Sequence, residues 1–302
     1  QISLFVALFF MRLFGQGALT LTATSHTIKC FNQQRGAALS LTQLGYPLSE
    51  FLFPALFLFL FYSFGIEITF IFFSIMILFC YLPISLVGIN LKKRQPLPTI
   101  SNVTESSKSL RFALTDPFFP VYVLLSSIPP IMMTAALYFQ VDIFTSQNWP
   151  IQYIASAIFS YALFKFLSTI FVGPLIDRIG IIIPLTFLTL CIGIATALIH
   201  FKGSVFMAYL YYSLYGIGIG ASASTMSYLW GLLYGSEHIA QIKGAIAIIR
   251  NGGTAISPIL FSFFLYAKNI PIFDIFLYSG LFIILLGFVP LIMKQLDQRL
   301  SV

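Results

Sequence analysis

Four ionisable residues stand inside long apolar stretches of the chain: Arg12, Glu50, Lys165 and Arg250. Charge is costly in hydrocarbon, and where it occurs it marks solute, ion or proton pathways. Arg12 and Glu50 lie near the centres of successive apolar runs, Glu50 three residues after the helix-bending Pro47. Facing each other, they would neutralise one another. Two roles stay open for such a pair. It is a fixed structural contact, or it breaks when Glu50 accepts a proton and releases Arg12. Desolvation favours a neutral carboxyl and an adjacent arginine favours the charged form, so a pair that forms and breaks couples a proton to a solute. Lys165 lies eight residues from the end of its run, about 12 Å at the helical rise. Its ammonium either snorkels out or faces a cavity. Arg250 is ten residues into its run, about 15 Å deep. Asn251-Gly252-Gly253 and Pro258 follow it. That cluster reads as a locally weakened helix with polar groups at mid-depth, or as packing by small residues. Three intramembrane cations against one anion leave a positive cavity. The expected substrate is a small organic anion such as a carboxylate, carried with protons.

A second group is Gly173-Pro174-Leu175-Ile176-Asp177-Arg178-Ile179-Gly180. Its glycines, Gly173 and Gly180, permit a tight turn between two helices. Asp177 stands where it can face the positive N-terminus of the next helix. Arg178 can pair with a carboxylate or with lipid phosphate. The remaining candidates carry less. Gly216-Ile217-Gly218-Ile219-Gly220 has no preceding strand and reads as a small-residue face for close helix contact. His26, His200 and His238, and Cys30, Cys80 and Cys191, show no metal-ligand spacing. No cofactor is expected.

The elements that must hold these groups follow from composition. Of 302 residues, 59% are apolar and 8% charged, with 34 phenylalanines. A soluble domain carries about 25% charge, so the chain reads as an all-α polytopic membrane protein. Nine runs are long enough to span a bilayer, near 2–24, 36–62, 67–89, 120–143, 151–173, 181–201, 204–232, 240–267 and 272–293. Between them the basic residues divide unevenly. Lys29, Arg35, Lys92, Lys93, Arg94, Lys108, Arg111, Arg178, Lys243, Lys294 and Arg299 fall on one side of an alternating path, and Lys202 and Lys268 on the other. The richer side is expected to be cytoplasmic, with the C-terminus on it. The net charge of +7 is thereby explained without nucleic acid. Residues 1–90 form one helical group, 91–116 a cytoplasmic linker and 117–302 a second group.

The Gly173–Gly180 stretch resembles the short G-x-L-x-D-R-x-G loop of the major facilitator superfamily, with Ile181 where a basic residue usually follows. Arg12-Leu13-Phe14-Gly15-Gln16-Gly17 resembles that family's helix-four motif. Arg35-Gly36-Ala37-Ala38-Leu39 and Gly45-Tyr46-Pro47-Leu48 resemble helix five. Both anchors give one register, in which the chain corresponds to helices four to twelve. A fragment lacking three helices is expected on that register. The resemblance implies two bundles rocking about a midplane site: a secondary transporter in the inner membrane, monomeric, surrounded by lipid. A polytopic membrane enzyme, a non-transporting sensor, and a drug or metabolite efflux antiporter are the alternatives. No clustered catalytic residues or nucleotide-binding motif support an enzyme.

Overall fold

The computed structural model describes residues 2–31, 34–94, 109–201 and 203–296. With no water in the bilayer core, a chain this apolar must satisfy its backbone polar groups within each segment. The described residues are accordingly helical, with no strand among them. The helices are α1 (Ile2–Phe10), α2 (Leu19–Cys30), α3 (Arg35–Gln43), α4 (Gly45–Arg94), α5 (Leu110–Thr115), α6 (Phe119–Tyr138) and α7 (Gln140–Ser146). They continue as α8 (Ile154–Ile179), α9 (Ile182–Leu198), α10 (Phe206–Tyr234), α11 (Ile239–Ser262), α12 (Ile272–Gly287) and α13 (Val289–Leu296). Among the described residues, five stretches are long and apolar enough to cross a membrane: Arg35–Cys80, Phe119–Tyr138, Ile151–Ile179, Ile239–Ala267 and Ile272–Leu296. Ile182–Leu198 is a shorter apolar helix. Most of the expected linker, residues 95–108, lies outside the described residues. Its flanks are helical: α4 runs on to Arg94, and the Ser109 hydroxyl caps α5 by accepting the Phe112 N–H at 3.4 Å.

The chain divides into two compact units, one of residues 1–47 and 107–302 and the other of residues 48–106. The second unit, as far as it is described, is a helical hairpin. α4 is broken at Gly65 (φ 80°, ψ 174°), a backbone conformation essentially confined to glycine. The arms then lie side by side, with Phe53 against Phe73 at 5.7 Å and Phe57 against Phe70 at 6.1 Å between ring centroids. The two expected runs, 36–62 and 67–89, are thus joined by a one-residue turn. The Thr69 hydroxyl donates to the Gly65 carbonyl at 2.7 Å and holds it.

In the first unit, α8, α9 and α10 form the packed centre. Leu185, Leu188, Ile192 and Ala195 of α9 are fully buried between α10 and α12. Tyr211, Tyr212 and Tyr215 of α10 are buried too, and Tyr215 shares a 2.7 Å hydroxyl bond with Thr196 of α9. These tyrosines pack the end that carries the 147–153 and 199–205 turns. There the Gln147 amide donates to Ile199 O at 2.8 Å and the Trp149 indole to Gly203 O at 2.9 Å.

Gly65→Ala strains a positive-φ position, a cost on the order of 1–3 kcal/mol. Thermal unfolding of the purified protein in nanodiscs should show a lower midpoint. Gly252→Ala, at a helical position with nothing within 4 Å of the added carbon, should leave the midpoint unchanged or slightly raised.

Candidate functional site

One end of the first unit is shut by contacts between the N-terminal helices and the C-terminal ones. α3 begins at Gln34 in the left-handed region (φ 56°), with no side-chain cap of its own. Its first N–H groups therefore need an outside acceptor. Asp177, in the last turn of α8, provides it: Oδ1 accepts the Gly36 N–H and Oδ2 the Ala37 N–H, each at 2.8 Å. A carboxylate here also meets the positive end of the helix dipole. The expectation placed Asp177 at the next helix in sequence, α9; the structure sets it on α3 instead, because α8 and α3 approach to backbone contact. A Cβ on Gly36 would lie 2.5 Å from the Gly173 carbonyl, and one on Gly173 would strike Gly36 O and Ser40 Oγ. Only glycine at both positions allows that approach. Gly180 then ends α8 at φ 78°, and Arg178 is exposed beside it. Nearby, Ile28 of α2 and the Arg35 guanidinium pack against Gly231 of α10.

Lys165 sits deeper. It is 14 residues from the end of α8, about 21 Å at the helical rise, because the helix runs six residues past the expected span. The side chain is 6% exposed. Its ammonium lies 4.9 Å from the ring centroid of Tyr46 and 5.4 Å from that of Tyr161. Both are cation–π distances. The backbone at Lys165 is clasped by α10. A Cβ on Gly216 would lie 3.0 Å from Lys165 N, and one on Gly220 would strike the Lys165 carbonyl. Thr169 Oγ1 bridges the two helices, 2.8 Å from Lys165 O and 3.2 Å from Gly220 O. The Gly216–Gly220 face is thus the close helix contact that its spacing suggests, and it holds the lysine in place.

α11 supplies two more cations. Lys243 donates to the Thr24 hydroxyl of α2 and, at 3.1 Å, to the Ser227 hydroxyl of α10. Arg250 lies two turns further along the same face. It is accessible to solvent and within electrostatic range of both Lys243 and Tyr46. Tyr46 therefore has Lys165 on its ring and Arg250 within electrostatic range. Among the described residues no carboxylate pairs with Lys243 or Arg250.

Other expectations land differently. α11 is unbroken through Asn251, Gly252 and Gly253. Glycines there keep the ladder because the helix is supported by α6: Gly253 faces Ile131, and the Ser257 hydroxyl donates to Ile131 O at 2.9 Å. The irregular turns are π-helical and lie elsewhere, at Met11–Ala18 and Phe263–Ala267. The first contains Arg12, whose side chain is outside the described residues. Asn251 is exposed, and its carbonyl accepts the Thr254 hydroxyl at 2.8 Å. Glu50 is half-buried in the second unit.

Lys243 and Tyr46 are the site residues that sequence reading missed. Lys243 follows the loop before α11 and counts in the sequence with the basic residues of that side, yet its seven-residue spacing from Arg250 places both on one helix face. Asp116 was also missed. It is 7% exposed, accepts the Phe118 N–H at 3.0 Å and the Tyr234 hydroxyl at 3.0 Å, and ties the start of α6 to the end of α10.

With this geometry goes a match between residues 1–258 and the family model for the Major Facilitator Superfamily. The chain belongs to the major facilitator superfamily. No curated protein matches it. The protein is thus an integral membrane protein of a family of secondary transporters, and its members are transporters rather than enzymes.

Asp177→Ala removes two charge-assisted bonds from an otherwise uncapped helix, at a cost of about 1–2 kcal/mol. If that shifts the shut end toward opening, a cysteine placed at buried Ser40 (Ser40→Cys) should react with a thiol reagent roughly 5–30 times faster in the variant.

Proposed function

We propose that this superfamily member carries small organic anions, carboxylates in particular, by alternating access. The observation that supports this reading most is the pair Lys243 and Arg250 on one face of α11, with no carboxylate paired to either among the described residues. Holding such charges among apolar helices is unfavourable without a counter-ion. A substrate carboxylate supplies one, and Arg250 offers the planar fork that matches it. Lys165, on its tyrosine platform, lies about 21 Å from the end of α8.

The shut end is assigned to the cytoplasm, because Lys29, Arg35 and Arg178 lie at it. On that assignment the C-terminus is cytoplasmic, and we place the protein in the inner membrane as a monomer. Proton coupling through Glu50 is the second part of the proposal; it rests on a half-buried carboxyl in a strongly apolar helix.

Counterflow of radiolabelled lactate and succinate into proteoliposomes tests the substrate class. Uptake should be lost in Arg250→Glu, with the protein still monodisperse, and partly retained in Arg250→Lys. A tenfold loss of affinity would correspond to about 1.4 kcal/mol at the site. Uptake by Arg250→Glu with unchanged affinity would refute the anion reading.

A further inference from the structure

Lys243 stands two turns along α11 from Arg250, toward the shut end, and its ammonium is held by hydrogen bonds. Its two acceptors are hydroxyls on different helices, and both residues are buried: Thr24 is 1% exposed and Ser227 5%. Thr24 spends its own hydrogen on the Thr20 carbonyl at 2.9 Å, which leaves its oxygen to accept from the lysine. The ammonium thereby joins α2 to α10 and α11 close to the shut end. Ile28, one turn beyond Thr24, packs on Gly231 there.

Two more hydroxyls lie on the same helices, close to these acceptors in sequence. Ser25 follows Thr24 and Ser224 precedes Ser227 by one turn. Both are buried, and neither Oγ has a hydrogen-bond partner. A buried hydroxyl left unpaired costs about 1–3 kcal/mol, and native structures leave few without cause. A cation whose partners are neutral oxygens, next to spare donors, is a site short of an anion. A charge-assisted bond to a carboxylate is roughly twice as strong as one between neutral groups. A carboxylate arriving at this point would therefore displace the Thr24 oxygen from Lys243 and accept from the spare serine hydroxyls.

We propose that Lys243, with Thr24, Ser25, Ser224 and Ser227, forms a second carboxylate station at the shut end: the lysine straps α2 to α10 and α11 while that end is closed, and exchanges the strap for the substrate as it opens. The strap stands on the geometry alone. The identity of the ligand rests on the anion reading above.

The test uses the full chain in nanodiscs, with Cys30, Cys80 and Cys191 replaced by serine and a single reporter, Ile28→Cys, at a fully buried position. With no solute added, Lys243→Met should raise the rate of N-ethylmaleimide labelling at least fivefold, and Thr24→Val by a smaller factor. Lys243→Arg, which keeps the donors, should restore slow labelling. Should Lys243→Met aggregate, Thr24→Val carries the comparison. Equal rates in the parent and these variants overturn the strap. In lactate counterflow, Ser25→Ala and Ser224→Ala leave the strap bonds in place, so they should raise KM at least threefold without changing labelling. An unchanged KM overturns the station. A parent that carries neither lactate nor succinate overturns the ligand assignment together with the anion reading, while the labelling rates still decide the strap.

Discussion

A positive charge among apolar helices needs a partner, and the arrangement of the first unit follows from how that need is met. Lys165 is answered by the faces of Tyr46 and Tyr161, Lys243 by hydroxyls of α2 and α10. Rings and hydroxyls are weaker partners than a carboxylate. The hydroxyls around Lys243 therefore hold it in position without matching its charge. Arg250, within electrostatic range of Lys243, has no carboxylate partner among the described residues. On the proposed anion reading, the two α11 cations keep affinity for an incoming carboxylate. A permanent ion pair at the same places would remove that affinity.

Glycine is what lets the helices place these groups. Gly216 and Gly220 bring α10 against the backbone of Lys165, so the lysine cannot slide along its helix. Gly36 and Gly173 bring α3 against α8, and that approach puts Asp177 on the open N-terminus of α3. The shut end is thus made of contacts that are individually modest: a capping carboxylate, a glycine pair, a lysine between two hydroxyls. A transporter must break this set and remake it at each cycle. Interfaces built from several small terms can do so, while a large apolar interface cannot.

Much of this was legible in the sequence. Hydropathy located the helical runs, because in hydrocarbon a long apolar segment has little choice but to be a helix. The Gly173–Gly180 motif was legible as the carrier of the family resemblance and, at Gly180, as a turn; Gly173, expected in that turn, lies inside α8 and packs on Gly36 instead. Three-dimensional partnership was less so. Asp177 was expected on α9 because local reasoning looks to the neighbouring helix, whereas its acceptor sites lie about 140 residues away in the chain. Lys243 was counted with the loops because charge near a span boundary looks solvated until a neighbouring helix is known to bury it. The Asn251-Gly252-Gly253 cluster looked weak because glycine propensity is a local quantity; support from Ile131 of α6 overrides it.

The account stands on the claim that the cations around Tyr46 form an anion site. Its most direct measurement is thermal unfolding of the purified protein titrated with lactate and, in parallel, with lactamide, which has the same shape and no charge. Ligand binding to the native state alone raises stability by RT ln(1 + [L]/Kd). Lactate should raise the unfolding midpoint saturably, and lactamide should leave it unchanged. A midpoint that responds equally to both solutes, or to lactamide alone, would contradict the account.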